Sequence, residues 1–422
     1  MSELERGDGA YRLEDGYKIE KVIGGLSYPT CVAFDGEGNL YFTEAGFTYP
    51  FIYKEARIYR LARDGEKEQV AEGFEGPLIG LQWHDGAFLA THRGTLSRVG
   101  LDGSRADLVS GIPSYGDHHT NHIAIRDGVV YFGQGTVTNT GVIGVDNLAV
   151  FGWLAKHPEG HDVPAHDVVL SGKNYESVNP LNPLEKVETG PFLPLGTKAT
   201  EGQRIPGERM ATGVVYRVNP DGSDLRAFAW GLRNPYGLAV EPATGRLFVL
   251  DQGADARGCR PAEAPDALYE VHEGAWYGWP DFLAGKPITV YGDDLGFVLR
   301  DHPVHETPLA VFETHASAVT LDFSPGGAFG FEGQAFVAQY GTESPFTTGG
   351  KMVTAGRSVS RVDMATMTEY PFFESTTVAG IGKGPNRPVM AKFAPDGSAL
   401  YVLDHGVRTL PLSGGLWKIT RE

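Results

Sequence analysis

The feature that most constrains this chain is a two-strand unit that recurs six times. Its fullest copy is residues 229–258, AWGLRNPYGLAVEPATGRLFVLDQGADARG. A polar loop, Gly231-Leu-Arg-Asn-Pro-Tyr-Gly237, runs into the apolar Leu238-Ala-Val240. A Pro-Ala-Thr-Gly turn follows, then Leu247-Phe-Val-Leu250, then the acidic loop Asp251-Gln-Gly-Ala-Asp255. A hairpin brings the start of its first strand and the end of its second to one edge. Arg233, Asn234 and Asp251 are therefore expected together at one end of the unit.

The other copies read the same way. They pair Cys31–Phe34 with Leu40–Gly46, Ile79–Trp83 with Phe88–Gly94, and Ile123–Ile125 with Val130–Gly135. Val319–Phe323 pairs with Ala335–Gly341, and Ala391–Phe393 with Leu400–Gly406. A third strand follows several of them, as at Ala56–Ala62, Gly213–Val218 and Gly415–Ile419. Asp64-Gly65, Asp102-Gly103 and Asp221-Gly222 then supply hairpin turns toward a fourth. Short strands in fours, repeating at about 45 residues, are the signature of a β-propeller. Six copies predict an all-β, six-bladed propeller over residues 18–422, after an N-terminal extension over 1–17. The aromatics Tyr41, Phe88 and Tyr131 are 47 and 43 residues apart, but the next gap, to Phe248, is 117. The third blade thus carries an insertion, residues 136–212, and loops this long in compact domains are usually lids or binding loops. In a propeller it should cap the face that carries Arg233 and Asp251.

Composition excludes several classes of partner. With 36 Lys and Arg against 53 Asp and Glu the net charge is −17, and no basic cluster interrupts it. Nucleic acid and anionic membranes are not expected partners, and no apolar run is long enough to span a bilayer. The acidic first twenty residues lack an apolar signal core, which points to the cytoplasm, or to the periplasm if a leader has been removed. Cys31 and Cys259 read as two unpaired thiols.

Propeller topology also gathers residues that are remote in sequence. Before first strands stand Tyr28-Pro-Thr30, Pro77-Leu78, Asp117-His-His-Thr-Asn121, Leu232-Arg-Asn234, His315-Ala-Ser317 and Asn386-Arg387. After second strands stand Glu44, His92-Arg93, Gln134, Asp251-Gln252, Gln339-Tyr340 and Asp404-His405. Imidazoles, guanidiniums and carboxylates around one channel mouth are the usual material of a catalytic site. His157, His161 and His166 in the insertion match no standard zinc spacing. No phosphate-binding glycine loop, nucleophile elbow or nicotinamide fingerprint is present.

Three motifs carry a family resemblance that covers nearly the whole chain from about Lys18. They are Gly231–Gly237, Tyr277-Gly-Trp-Pro280, and the closing Asn386-Arg-Pro with Pro395-Asp-Gly and Tyr401-Val-Leu-Asp404. With them the chain resembles the glucose/sorbosone dehydrogenases, six-bladed propellers that use pyrroloquinoline quinone (PQQ) and Ca²⁺. It is similar in particular to a bacterial subgroup marked by GDHHTN, FGQGTVTN and FGWLAKHP. The resemblance implies that His118, or its neighbour His119, is the general base that takes a proton from a sugar hydroxyl. It implies that Arg233 and Asn234 contact the quinone, with Tyr236 and Asn121 beside them. Arg387 would hold a cofactor carboxylate, and Ca²⁺ would sit on the carbonyls of Gly253 and Ala254, near Asp251. The chain departs from the family at four positions. Tyr236 stands where glutamine is common, Gly341 at a lysine, Val389 at a second arginine, and Glu75-Gly-Pro77 at an early glutamine. The implied activity is oxidation of a small sugar or polyol. A Ca²⁺-dependent lactonase using Glu44, Asn121, Asp251 and Asp404 stays open as an alternative, as does a propeller that binds without catalysis.

Overall fold

The computed structural model describes residues 9–48, 51–52, 55–149, 152–292, 295–376 and 383–422. Six antiparallel sheets follow one another along the chain. The first blade is Pro29–Phe34, Leu40–Glu44, Ala56–Leu61 and Lys67–Phe74. The second is Leu78–His84, Ala87–His92, Thr95–Val99 and Arg105–Val109. Thr120–Arg126, Val129–Gln134, Val214–Val218 and Arg226–Trp230 make the third. The fourth is Pro235–Val240, Leu247–Asp251, Pro265–Glu270 and Ala310–Thr314. Ala318–Phe323, Ala335–Gln339, Ser358–Asp363 and Thr368–Ser375 make the fifth, to which Tyr11–Leu13 adds an outer strand. The sixth joins both ends of the chain: Pro388–Phe393, Leu400–Asp404 and Gly414–Arg421 are completed by Tyr17–Leu26. The first strands of successive blades touch around a closed ring. The six-bladed all-β expectation holds.

The blades stick to one another through the residues that marked the repeat. Tyr41, Phe88, Tyr131, Phe248 and Phe336 are all buried. The Tyr41 and Phe88 rings meet at 4.6 Å across the first two blades, and Phe248 meets Phe323 at 5.6 Å across the fourth and fifth. Each such ring removes a large apolar area from water, and a tilted or edge-on pair adds about 0.5–1.5 kcal/mol. The third-to-fourth-strand turns place Gly65, Gly103 and Gly222 at φ of 81–86°.

Residues 135–213 lie between the second and third strands of the third blade. Their anchor is Asp162, whose buried carboxylate accepts the backbone N–H groups of Val137 (2.6 Å) and Thr138 (3.2 Å) and the Thr138 and Thr212 hydroxyls. The segment then packs against the loop that follows the fourth blade's second strand. Arg260, fully buried, ties the two by donating to the Thr140 and Pro280 carbonyls at 2.8 Å and to Asp281 at 2.6 Å.

Candidate active site

The channel opens at one end into a cavity of about 1130 Å³, open solvent at its mouth included. Its inner ring is one residue from each first strand or its approach: Thr30, Ile79, Asn121, Tyr236, Val319 and Val389. Above them stand Asp117, His118, His119, Arg233, Asn234, Gln252, Gly253, Asp255, Asp266 and His315, with the segment from Tyr340 to Glu343 as the facing wall. No residue of 136–212 lines the cavity among the described residues; the insertion acts from behind.

His118 is positioned by the hairpin that leads into the third blade. Its backbone N–H reaches Thr136 O at 3.2 Å, while Asp117 N–H reaches Val137 O at 2.9 Å. Gly135 is obligatory opposite, since a Cβ there would come within 2.3 Å of His118 Cβ and 2.6 Å of Asn234 Oδ1. His118 Nδ1 lies 2.9 Å from the Thr136 carbonyl. A carbonyl only accepts, so Nδ1 carries the proton and Nε2 is left as the basic nitrogen. Burial first, then the Arg233 and Arg257 guanidiniums, hold this imidazole well below the usual histidine range. His118 is thus held toward its neutral form, with Nε2 as the basic nitrogen.

Its neighbour differs. His119 Nδ1 donates to Ser114 O at 3.0 Å and its ring stands edge-on to Phe47, and burial lowers it to about 4. Behind both, Asp117 is gripped from three sides: Arg257 at 2.7 Å, Trp153 Nε1 at 2.8 Å and Asn147 at 3.1 Å. Trp153 and Asn147 belong to the insertion, which therefore braces the histidine loop.

Arg233 is 2% exposed. It donates to Asn139 O (3.1 Å), Asn139 Oδ1 (2.8 Å), Gln252 O (3.3 Å) and Asp255 (3.2 Å). An amide chain links three blades beside it. Asn121 donates to Asn234 Oδ1 at 2.8 Å, Asn234 to Gln252 Oε1 at 2.5 Å, and Gln252 to Ser317 Oγ at 2.6 Å.

His118, His119, Asn121, Arg233, Asn234, Tyr236 and Gly253 thus converge as the sequence suggests. Asp251, Ala254 and Arg387 do not reach the cavity surface. The Asp251 carboxylate accepts the backbone N–H groups of Arg233 (3.0 Å) and Asn234 (2.7 Å), so it holds that loop. The Ala254 carbonyl accepts the Ala264 N–H at 3.0 Å. Arg387 lies behind the Tyr340–Thr342 wall and donates to its carbonyls at 3.2–3.4 Å. His92, Gln134 and Gln339 end their strands pointing sideways, onto Ser97, Thr120 and Ser360 within their own blades. The lactonase ligand set is likewise dispersed. Glu44 pairs with Lys67 at 2.6 Å, and Asp404 caps the N–H groups of Arg387 and Gly406. Among the described residues no three His, Cys, Asp or Glu side chains are grouped to hold a metal ion.

Asp266, Glu343, Asn139 and Arg257 were not legible beforehand. Asp266 starts a third strand, outside the hairpin pattern. It receives the Gly253 N–H at 2.8 Å and the Ala318 N–H at 2.7 Å, and burial raises its carboxyl to about 6.

Comparison with known proteins agrees with this architecture. Residues 208–347 match the family model described as Glucose / Sorbosone dehydrogenase. The resemblance is to that family. The matched stretch holds Arg233, Asn234, Asp251, Gly253 and the Tyr340 wall, whereas His118 lies outside it. No curated protein matches the chain. Among solved structures, the holo PQQ domain of a pyranose dehydrogenase from Coprinopsis cinerea superposes with a TM-score of 0.62 at 15% identity, covering 99% of this chain and 98% of that one. The calcium structure of a Trichoderma reesei carbohydrate-active enzyme gives 0.62 at 14% identity and full coverage of both chains. The PQQ-bound aldose sugar dehydrogenase of Streptomyces coelicolor gives 0.55 at 16%, covering 96% and 98%. These structures share the six-bladed propeller fold with this chain.

Proposed function

We propose that this propeller oxidises a hydroxyl of a sugar or polyol, with PQQ as acceptor and Ca²⁺ as its partner ion. The observation that carries the reading is a neutral, tautomerically fixed His118 at the cavity wall beside Arg233 and Asn234. Such an imidazole takes a hydroxyl proton on Nε2 without first losing one of its own. The residues at the cavity surface fit the cofactor at its quinone end. Arg233 and Asn234 would face the quinone oxygens, and the Gly253 carbonyl and Asp266, both at the cavity surface, would offer hard oxygen donors for Ca²⁺. When bound, PQQ supplies a two-electron acceptor that a protein side chain cannot provide. The chain itself binds the polyol, keeps it oriented against the polar ring, and accepts the proton. Arg233, pinned by four acceptors, presents a fixed positive charge to developing negative charge, which costs no reorganisation during reaction.

Calorimetric titration of PQQ with and without Ca²⁺, followed by dye-linked turnover on a panel of aldoses, tests the reading. Ca²⁺-dependent binding with turnover that His118→Ala abolishes is expected. Absence of PQQ binding at every Ca²⁺ concentration would refute it.

A further inference from the structure

Behind the cavity, a single guanidinium is bonded to both halves of the site. Arg257 stands in the loop that follows the fourth blade's second strand, with a side chain only 4% exposed, and it does not line the cavity. Its Nη1 donates to Asp117 Oδ2 and to Asp146 Oδ2, both at 2.7 Å, and its Nε donates to Asp255 Oδ2 at 3.1 Å. Two of these carboxylates, Asp117 and Asp255, are at the cavity surface. Asp117 directly precedes His118. Asp255 Oδ2 also accepts Arg233 Nη2 at 3.2 Å. Asp146 comes from the insertion, and Gly258, at φ 81°, admits it: a Cβ there would come within 2.9 Å of Asp146 Oδ1. The third blade's approach, the fourth blade and the insertion therefore meet on one side chain. Arg260, three residues on, is a contrast, since it serves the Thr140, Pro280 and Gly296 carbonyls and Asp281, none of them at the cavity.

A cluster of this kind is a costly way merely to hold loops together. Asp117, Asp146 and Asp255 share one guanidinium and repel one another. Burial, with the Asp117 charge added, raises the Asp146 carboxyl to about 6 against the pull of Arg257. Apolar side chains of similar volume brace a fold at no greater cost. They cannot hold a carboxylate at a fixed point. A planar guanidinium, with its donors in set directions, holds three such acceptors at once, which an ammonium on a flexible stem does less well.

We propose that Arg257 is a positioning residue of this site: it fixes the His118 turn through Asp117 and the Arg233 side chain through Asp255, so that base and cation keep one spacing. It touches neither substrate nor cofactor. Its effect on turnover rests on the proposed dehydrogenase reading, whereas its effect on His118 does not.

Full-length Arg257→Gln and Arg257→Lys test this with two readouts. The first is the ring ¹⁵N shifts of His118, which report the nitrogen that carries the proton; the second is dye-linked kinetics on an aldose with PQQ and Ca²⁺. In the wild type the proton is on Nδ1, toward the Thr136 carbonyl. Arg257→Gln should loosen the turn and mix the two tautomers, and should lower kcat about 10–100-fold with KM changed less than about threefold. Arg257→Lys, which keeps the charge without the fork, should fall between wild type and Arg257→Gln in both readouts. Wild-type shifts together with a wild-type kcat in folded Arg257→Gln would overturn the proposal, whatever its melting temperature. If melting curves show that Arg257→Gln does not fold, Arg257→Lys decides: intermediate shifts with a reduced kcat support positioning, and wild-type values of both overturn it. If the wild type itself oxidises no aldose, the dehydrogenase reading fails and the ¹⁵N shifts alone decide, mixed tautomers in Arg257→Gln supporting the positioning role and an unchanged tautomer overturning it.

Discussion

Acidification gives the sharpest test of the base. An unperturbed imidazole, with a pKa of about 6.5, is roughly 90% protonated at pH 5.5 and would lose about tenfold in rate between pH 7.5 and 5.5. His118 is held well below that range by its burial and by Arg233 and Arg257. Each unit of depression corresponds to about 1.36 kcal/mol favouring the neutral ring. The kcat/KM for an aldose should therefore fall by clearly less than tenfold over that interval. Arg233→Gln removes one of the two guanidiniums and should move the acid limb upward. Turnover in that variant is compromised by the loss of Arg233 itself, so the assay is an NMR titration of the His118 Cε1–H, assigned by its absence in His118→Ala. Arg257 remains, as does the desolvation, so the upward movement should be partial. An acid limb with an apparent pKa near 6.5 in the wild type, or a His118 titration that Arg233→Gln leaves unmoved, would show that the cavity does not set the state of this base.

Three further outcomes are expected. His118→Ala should lower turnover by about 10²–10⁴ with PQQ affinity changed less than about threefold, while His119→Ala, whose ring already serves Ser114 O and Phe47, should retain most activity; steady-state kinetics beside calorimetry separates the two. His122 is buried, packs against Tyr236, leaves Nε2 without a partner and is lowered to about 3. A histidine with a depressed folded pKa contributes stability above about pH 6.5 and loses it as pH falls, so His122→Phe should gain about 2–3 kcal/mol relative to wild type between pH 8 and 4.5, read from denaturant midpoints. Asp281, with no exposed side-chain surface, receives Arg260, His302 and the N–H groups of Val298 and Leu299. Asp281→Ala strands the buried Arg260 charge and should cost about 3–5 kcal/mol in chemical denaturation.

Much of this was legible in the sequence because the repeat is local. An apolar strand, a glycine turn and an aromatic strand lie within about twenty residues, and the period of two fixes which side of each blade is buried. The same logic located His118, Arg233 and Asn234, since every loop on one side of a propeller shares one mouth. It failed for His92, Gln134 and Gln339. Second-strand ends are only near the axis, and the side-chain direction of the last residue depends on bulges such as that between Thr91 and His92. It also failed for Asp251, which looks like a ligand but is needed to satisfy two loop N–H groups. Buried backbone donors compete for carboxylates at such turns, and that demand is not written in the motif.

At the facing wall a glycine makes room for a neighbouring side chain. Position 341 carries no cation, yet its glycine is what admits Arg357, sixteen residues later and on a different strand approach. A lysine at 341 would not fit that space. Its Cβ would fall within 2.6 Å of Arg357 Cγ and 2.9 Å of Ala355 O, at a φ of 93° that no L side chain adopts without strain. Gly341→Lys alone should therefore destabilise the chain by about 1–3 kcal/mol. Combining it with Arg357→Gly vacates the space and supplies the flexible residue at φ 61°. The double variant should recover much of the lost stability. Denaturant melts on the two singles and the double close the cycle, and simple additivity of the two losses would mean that Arg357 and a side chain at 341 do not compete for one space.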